Sequence, residues 1–90
     1  MELKDTAEMM CSADYKERFK AEYHQTKIRY EKLKKFNTKI EAANSTMYEG
    51  VKVDMPKHDC PFVLLREQQS VMGEYLHLLE VRAEIENIVL

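Results

Sequence analysis

The sequence has no long hydrophobic run. A membrane-spanning helix needs about 18 or more consecutive apolar residues, and a secretory signal needs a shorter apolar core near its start. Neither occurs among the 90 residues. A membrane protein and a secreted protein are therefore both disfavoured, and we expect a cytoplasmic protein.

Cysteine is also scarce. Cys11 and Cys60 are the two cysteines of the chain, and they lack the CxxC spacing of zinc and redox motifs. Two isolated cysteines in an intracellular protein are typical of free thiols rather than of a disulfide framework.

Motifs of catalytic and metal sites are missing as well. The sequence contains no glycine-rich phosphate loop, no GxSxG motif and no paired-carboxylate pattern. His58, Asp59 and Cys60 are adjacent rather than spaced as metal ligands, and neither His24 nor His77 has a ligand-type residue four positions on. We therefore predict no catalytic residue, no metal and no cofactor, and so a protein that is not an enzyme.

With only two glycines and two prolines, the chain favours long helices. The stretch from Tyr15 to Ala43 contains neither residue, which predicts one helix of about 43 Å. Asp14 is a suitable N-cap, and Glu17 three residues later would complete a capping box. Apolar and near-apolar side chains recur at alternating spacings of four and three, at Phe19, Tyr23, Thr26, Tyr30, Leu33, Asn37 and Ile40. A stripe of this kind packs against a partner helix.

The rest of the chain predicts a short helical segment, a connector and a second long helix. In the N-terminal segment, Asp5 and Glu8 repeat the capping-box pattern. Gly50 and Pro56 favour turns in the connector, and Pro61 favours the start of the second helix. The predicted segments are 1–13, 14–43, 44–60 and 61–90. We therefore predict a single all-α domain, in which a short helix precedes an antiparallel hairpin of two long helices.

The second long helix carries two apolar stripes side by side. One contains Leu65, Met72, Leu76, Leu79 and Ala83, and the other contains Val71, Tyr75, Leu78, Ile85 and Val89. One antiparallel partner covers only one stripe, and a helical hairpin of this size buries little surface alone. We therefore expect a helical homo-oligomer whose subunits cover the second stripe.

Charge is segregated between the two long helices. The first has nine Lys/Arg against four Glu, the second has five Glu against two Arg, and the whole chain carries −2. The helices are therefore electrostatic complements. A pI near 5.9 argues against DNA or RNA as a partner.

Five side chains are candidates for ligand binding: Tyr15, Arg18, Lys32, Lys34 and Arg66. An aromatic ring at a helix N-terminus can stack on a base, and nearby cations can neutralise phosphate. The residues alone leave an alternative open. The ring can instead pack on the N-terminal segment, and the lysines can form the solvated face of a structural or adaptor hairpin that binds another protein.

From residue 15 to residue 88 the chain resembles a family of short phage proteins. Three patterns carry the resemblance: Tyr-x-x-Arg at residues 15–18, Glu-Lys-Leu-x-x-Phe at 31–36, and Arg-x-Gln-x-x-x-Met-x-x-Tyr-x-x-x-Leu at 66–79. In these patterns the chain is similar to the phage anti-CBASS sponges, which sequester the cyclic dinucleotide and trinucleotide messengers of a bacterial antiviral system.

The resemblance implies a homohexamer in the cytoplasm of the infected bacterial host, with intact ligands held between subunits. It also implies roles for the candidate residues. Tyr15 would stack on a base, Lys32 with Lys34 would contact phosphate, and Arg66 would serve a separate trinucleotide site.

Overall fold

A computed structural model describes residues 1–45 and 53–90 and contains three α-helices in those ranges. They are α1 (Leu3–Met10), α2 (Tyr15–Asn44) and α3 (Phe62–Glu86). No strand occurs in either described range, so the predicted all-α class is confirmed there. Of the predicted connector, residues 46–52 lie outside the described ranges, and 53–61 are in neither helix nor strand.

The start of α1 differs from the prediction. Its capping box is formed by Glu2 and Asp5, with the Glu2 backbone N–H donating to an Asp5 carboxylate oxygen at 2.8 Å. The predicted box of Asp5 with Glu8 is therefore wrong, because the extended backbone of Glu2 already presents the N–H that Asp5 caps. α1 then packs on α2, where Thr6 and Ala21 are both fully buried.

The start of α2 lies where the sequence predicts it. Asp14 is the N-cap, and its carboxylate accepts a hydrogen bond from the Lys16 backbone N–H at 3.0 Å. Glu17 does not close the predicted box but forms an ion pair with Lys20 at 3.6 Å. One cap is sufficient to place Tyr15 at the first helical position.

The end of α3 is set by Asn87. This residue has a left-handed backbone conformation, with φ 57° and ψ 44°, which asparagine tolerates better than most residues. The backbone N–H of Ile88 then returns to the Ala83 carbonyl at 2.9 Å, and the Ile88 side chain is buried in the core. The helix therefore ends at Glu86 rather than continuing to residue 90.

α2 and α3 form an antiparallel hairpin. Tyr15 bonds to Glu86 and Tyr23 to Glu80, so rising numbers in α2 meet falling numbers in α3. All the predicted stripe residues of α2 are buried or half-buried, as are those of the first stripe of α3. The core residues are Phe19, Tyr23, Leu76, Leu79, Ala83 and Ile88.

The second apolar stripe of α3 lies outside this core. Its five predicted members are all exposed in the single chain: Val71, Tyr75, Leu78 and Ile85 lie in α3, and Val89 follows its end. The hydroxyl group of Tyr75 donates to the Glu22 carboxylate, which holds that one side chain towards α2. The other four remain uncovered, as expected if a further subunit is to cover them.

One polar residue lies inside the hairpin interface. The buried Asn37 donates from its side-chain nitrogen to the Leu65 carbonyl at 3.1 Å and to the Gln69 side-chain oxygen at 2.9 Å. Its own oxygen has no partner among the described residues. Because a sliding of α3 along α2 would break both bonds, Asn37 favours this register over neighbouring ones.

Replacing Tyr23 with phenylalanine is expected to reduce the free energy of unfolding by about 1–2 kcal/mol. The buried Tyr23 hydroxyl donates to a Glu80 carboxylate oxygen at 2.6 Å, and the half-exposed carboxylate returns to water when the bond is lost. Urea unfolding at matched protein concentration measures the change. Tyr30→Phe is the control, because the Tyr30 hydroxyl has no hydrogen-bond partner among the described residues. Equal stability of wild type and Tyr23→Phe would contradict the prediction.

The same bond has a pH signature. Burial, followed by the Glu80 hydrogen bond, raises the pKa of Tyr23 from 10.0 to about 12. A raised pKa means that this stabilisation is fully present below pH 10 and is lost as the pH rises towards 12. Tyr23→Phe should lack this part of the alkaline loss of stability.

Candidate functional site

Tyr15 lies where the first turn of α2 meets the last turn of α3. Its hydroxyl accepts a hydrogen bond from Arg82 Nη2 at 2.7 Å and donates one to Glu86 Oε1 at 2.9 Å. The side chain is still 46% exposed. The ring is therefore fixed at its hydroxyl end while much of its surface faces solvent.

Arg82 is itself held on two sides. Its Nε atom bonds to Glu86 Oε2 at 3.2 Å, and its guanidinium group lies 5.0 Å from the centroid of the Phe19 ring. Phe19 also contacts the Tyr15 ring, with centroids 6.2 Å apart and planes inclined by 59°. We call Tyr15, Phe19, Arg82 and Glu86 the Tyr15 cluster.

The electrostatics of the Tyr15 cluster keep the phenol neutral. The hydrogen bond to Glu86 raises the pKa of Tyr15, with a smaller contribution from burial, and the opposing effect of Arg82 does not cancel it. A neutral aromatic ring beside a guanidinium group offers a base a surface for stacking and offers a phosphate a donor. Sequence reasoning found Tyr15 but missed Arg82 and Glu86, which local patterns could not associate with it.

Arg18 does not join the Tyr15 cluster. Its guanidinium Nη1 donates to the backbone carbonyl of Ser12 at 2.9 Å, which ties the segment between α1 and α2 to the first turns of α2. Arg18 thus has a structural contact with the backbone of its own chain, apart from any role in ligand binding.

Lys32 and Lys34 lie in different grooves. Lys32 lines a groove of about 480 Å³ together with Lys27 and Lys35, whereas Lys34 lines another of about 350 Å³ with Thr38. Residues two apart in a helix do not share a face. The two grooves adjoin, since Glu31 and Lys35 line both, and the joint contact of Lys32 and Lys34 with phosphate stays a prediction.

The side chains of the Lys32 groove carry a net positive charge, because its three lysines outnumber its one carboxylate, Glu31. Lys27, Lys32 and Lys35 form no ion pair with any described residue. Burial lowers the pKa of His24 in the same groove, and the positive charges of Lys27 and nearby Lys20 lower it further. Unpaired cations around one depression attract an anion more than a single exposed lysine does.

Tyr15 and Lys32 are far apart within one chain. Lys32 lies seventeen positions after Tyr15, which corresponds to about 25 Å along the α2 axis. This exceeds the reach of a lysine side chain, so one protomer does not bring the ring and this amine together.

Arg66 lies in a third place. It lines a groove of about 870 Å³ between α2 and α3, with Tyr30, Gly73 and His77 among its neighbours. The guanidinium group lies 5.7 Å from the Phe62 ring centroid. A Cβ atom at Gly73 would lie 3.5 Å from the Tyr30 hydroxyl, an ordinary van der Waals distance. Arg66 is thus separate from the Tyr15 cluster.

Other chemistries find little support in the described residues. Within 1–45 and 53–90, no group of three or more His, Cys, Asp or Glu side chains is arranged to hold a metal ion. Cys11 and Cys60 are exposed free thiols. In those same ranges, no helix has the length and apolar character needed to span a bilayer.

Comparison with known proteins identifies a family. A family model described as Sequestin matches residues 13–85, which is about four fifths of the chain and includes all five candidate residues. No curated protein and no solved structure gives a significant match. The family name denotes sequestration, which suggests a binding protein rather than an enzyme and is consistent with the sequestering anti-CBASS phage family that the sequence resembles. The chain belongs to the Sequestin family.

Proposed function

We propose that this protein binds cyclic oligonucleotide second messengers and sequesters them, so that CBASS immunity is blocked in the infected bacterial host. Cyclic dinucleotides are the principal proposed ligands, and cyclic trinucleotides are proposed for a separate site at Arg66. Family membership supports sequestration as the mode of action. The messenger would be held intact, without catalysis, metal or cofactor.

The observation that carries the choice of ligand is the exposed, fixed ring of Tyr15. Bonds from Arg82 and Glu86 hold its hydroxyl end, so little side-chain freedom remains to be lost when a base stacks on it. Any base can stack on an aromatic face. A ring beside a guanidinium group therefore suits a ligand that combines bases with phosphates.

Assembly would complete the site. A cyclic dinucleotide has two bases and two phosphates in approximate two-fold symmetry, which a two-fold interface between identical subunits can match. In such an interface, Tyr15 of one chain can face Lys32 of another, although about 25 Å separates them along α2 within one chain. The exposed stripe of α3 supplies apolar surface for subunit contact. We propose a homo-oligomer of six chains.

A second candidate function is favoured by that same exposed stripe. Leu78 and Ile85 are typical of a surface that binds a protein partner, and a helical-hairpin adaptor would need no nucleotide site. The two functions differ in what must bind: the adaptor requires a different protein, whereas the sponge requires copies of this chain and a small anionic ligand.

Titration of the wild-type protein with a cyclic dinucleotide in a calorimeter is expected to saturate at one ligand per two chains. That ratio follows from a site shared by two subunits. After the complex is denatured, the ligand should be recovered intact, since no catalytic group has been identified. A linear dinucleotide and a cyclic mononucleotide serve as comparison ligands and should bind more weakly, because neither presents two bases in a closed ring.

Three outcomes would count against this proposal. Hydrolysed or linearised product would indicate an enzyme. No heat with any cyclic oligonucleotide would favour the adaptor. Saturation at one ligand per chain would contradict a site shared by two subunits related by a two-fold axis.

A further inference from the structure

We infer that Arg82 is a phosphate-binding residue of the Tyr15 cluster and that Glu86 positions it. The inference rests on the proposed function and adds to it a residue that neither the sequence motifs nor the family resemblance assigns. It places the ligand phosphate beside the stacked base, at the last turns of α3.

The donor groups of Arg82 are only partly used. A guanidinium group has five N–H donors in a planar fork. Nε is directed to Glu86 and Nη2 to the Tyr15 hydroxyl, while Nη1 has no hydrogen-bond partner among the described residues. The side chain is 53% exposed, so the Nη1 donors are accessible to an external acceptor.

The orientation of that free edge is fixed. One face of the guanidinium group lies against the ring of Phe19, which is buried. Glu86 holds Nε, and the phenol of Tyr15 holds Nη2. An arginine constrained in this way loses less conformational entropy on binding a phosphate than a freely moving surface lysine does.

Arg82 is also close to the proposed stacking surface. Its Nη2 atom is 2.7 Å from the Tyr15 hydroxyl, so the free donors lie at one edge of the ring. The phosphate of a nucleotide lies to the side of its base rather than above it. A base stacked on Tyr15 can therefore direct its phosphate towards Nη1.

Glu86 both holds Arg82 in position and weakens the attraction between Arg82 and a phosphate. Its carboxylate neutralises Arg82 at long range, yet both of its oxygens are occupied, by Tyr15 and by Arg82. The pair therefore offers a phosphate directional N–H donors rather than a large net charge. Substitution of both residues can therefore distinguish an Arg82 that binds phosphate directly from an Arg82 that only neutralises the charge of Glu86.

Arg82→Gln is expected to weaken cyclic dinucleotide binding by roughly 10-fold or more, the typical loss for one hydrogen bond to a charged group. Arg82→Lys should recover only part of the affinity, because it restores the charge without the fork. The matched control is Arg29→Gln, which removes an exposed arginine of α2 that forms no hydrogen bond or ion pair with the Tyr15 cluster. Calorimetry on the full-length protein measures the affinities, and thermal unfolding checks that each variant is folded.

The decisive variant is Arg82→Gln combined with Glu86→Gln. If Arg82 donates directly to phosphate, the double variant binds the dinucleotide weakly even though the repelling carboxylate of Glu86 is gone. The inference would be overturned if the double variant bound with wild-type affinity. It would also be overturned if Arg82→Gln lowered only the melting temperature and not the affinity, because Arg82 would then only link the helices. Absence of binding by wild type would instead reject the proposed function, and this inference with it.

Discussion

Tyr15→Ala is expected to weaken cyclic dinucleotide binding by roughly 30-fold to 10⁴-fold, because each stacked base contributes roughly 5-fold to 150-fold in affinity and the symmetric ligand has two bases. The loss arises from the exposed ring, whose position is fixed by Arg82 and Glu86. Calorimetric titration of wild type and variant with the same ligand measures it. Circular dichroism should show unchanged helix content, since a half-exposed side chain at the first helical position adds little to helix stability.

Two control variants make this experiment specific. Tyr15→Phe keeps the ring and loses only its hydroxyl bonds, so its affinity should fall by roughly 10-fold or less. Arg66→Ala changes a groove remote from the Tyr15 cluster and should leave dinucleotide affinity unchanged, while weakening any cyclic trinucleotide that binds there. If Tyr15→Ala lowers the melting temperature but binds the dinucleotide as wild type does, Tyr15 is a packing residue and the proposed site is wrong.

Leu78→Glu is expected to convert the oligomer largely to single chains of 10.7 kDa. Leu78 is 60% exposed in the protomer and lies in the middle of the uncovered stripe of α3. Burying one carboxylate per subunit in an apolar interface costs several kcal/mol per ion. Sedimentation velocity at micromolar concentration distinguishes the two states.

The matched control for assembly is His77→Glu. It introduces the same side chain one position earlier, about 100° around α3 from Leu78 and outside the stripe, so the oligomer should persist. Because the proposed ligand site combines Tyr15 and Lys32 from different chains, Leu78→Glu should also abolish dinucleotide binding while the hairpin stays folded. A wild-type protein that sediments as a monomer, or a Leu78→Glu variant that remains assembled, would refute this quaternary proposal.

The helices themselves could be predicted because their signals are local. Asp14 caps the helix that begins at Tyr15, and the spacing of the α2 stripe correctly identifies the side that faces α3. The α1 box was misplaced because Glu2 and Asp5 satisfy the same short-range requirement as Asp5 and Glu8. Such errors concern one turn of helix and do not change the fold.

One feature of the candidate site could have been read from helical periodicity. Lys32 and Lys34 are two positions apart, and such residues point to different faces of any α-helix. Their spacing therefore disfavours contact of both side chains with one phosphate from a single chain, whereas a phosphate contact shared between subunits stays a prediction. Direct pairing of Tyr15 with Lys32 in one protomer is disfavoured for a similar reason, since helix length separates them.

The sequence by itself determined the all-α class of the described residues, the Asp14 cap and the buried stripes, because each depends on side chains within a few turns of one another. Only the tertiary structure decided that Arg82 and Glu86 meet Tyr15. That contact depends on the antiparallel register of α2 and α3, which the two Asn37 bonds and the packing of the core help to select. Register is a property of two helices together, so no local pattern encodes it, and the Tyr15 cluster exists only once the hairpin has closed.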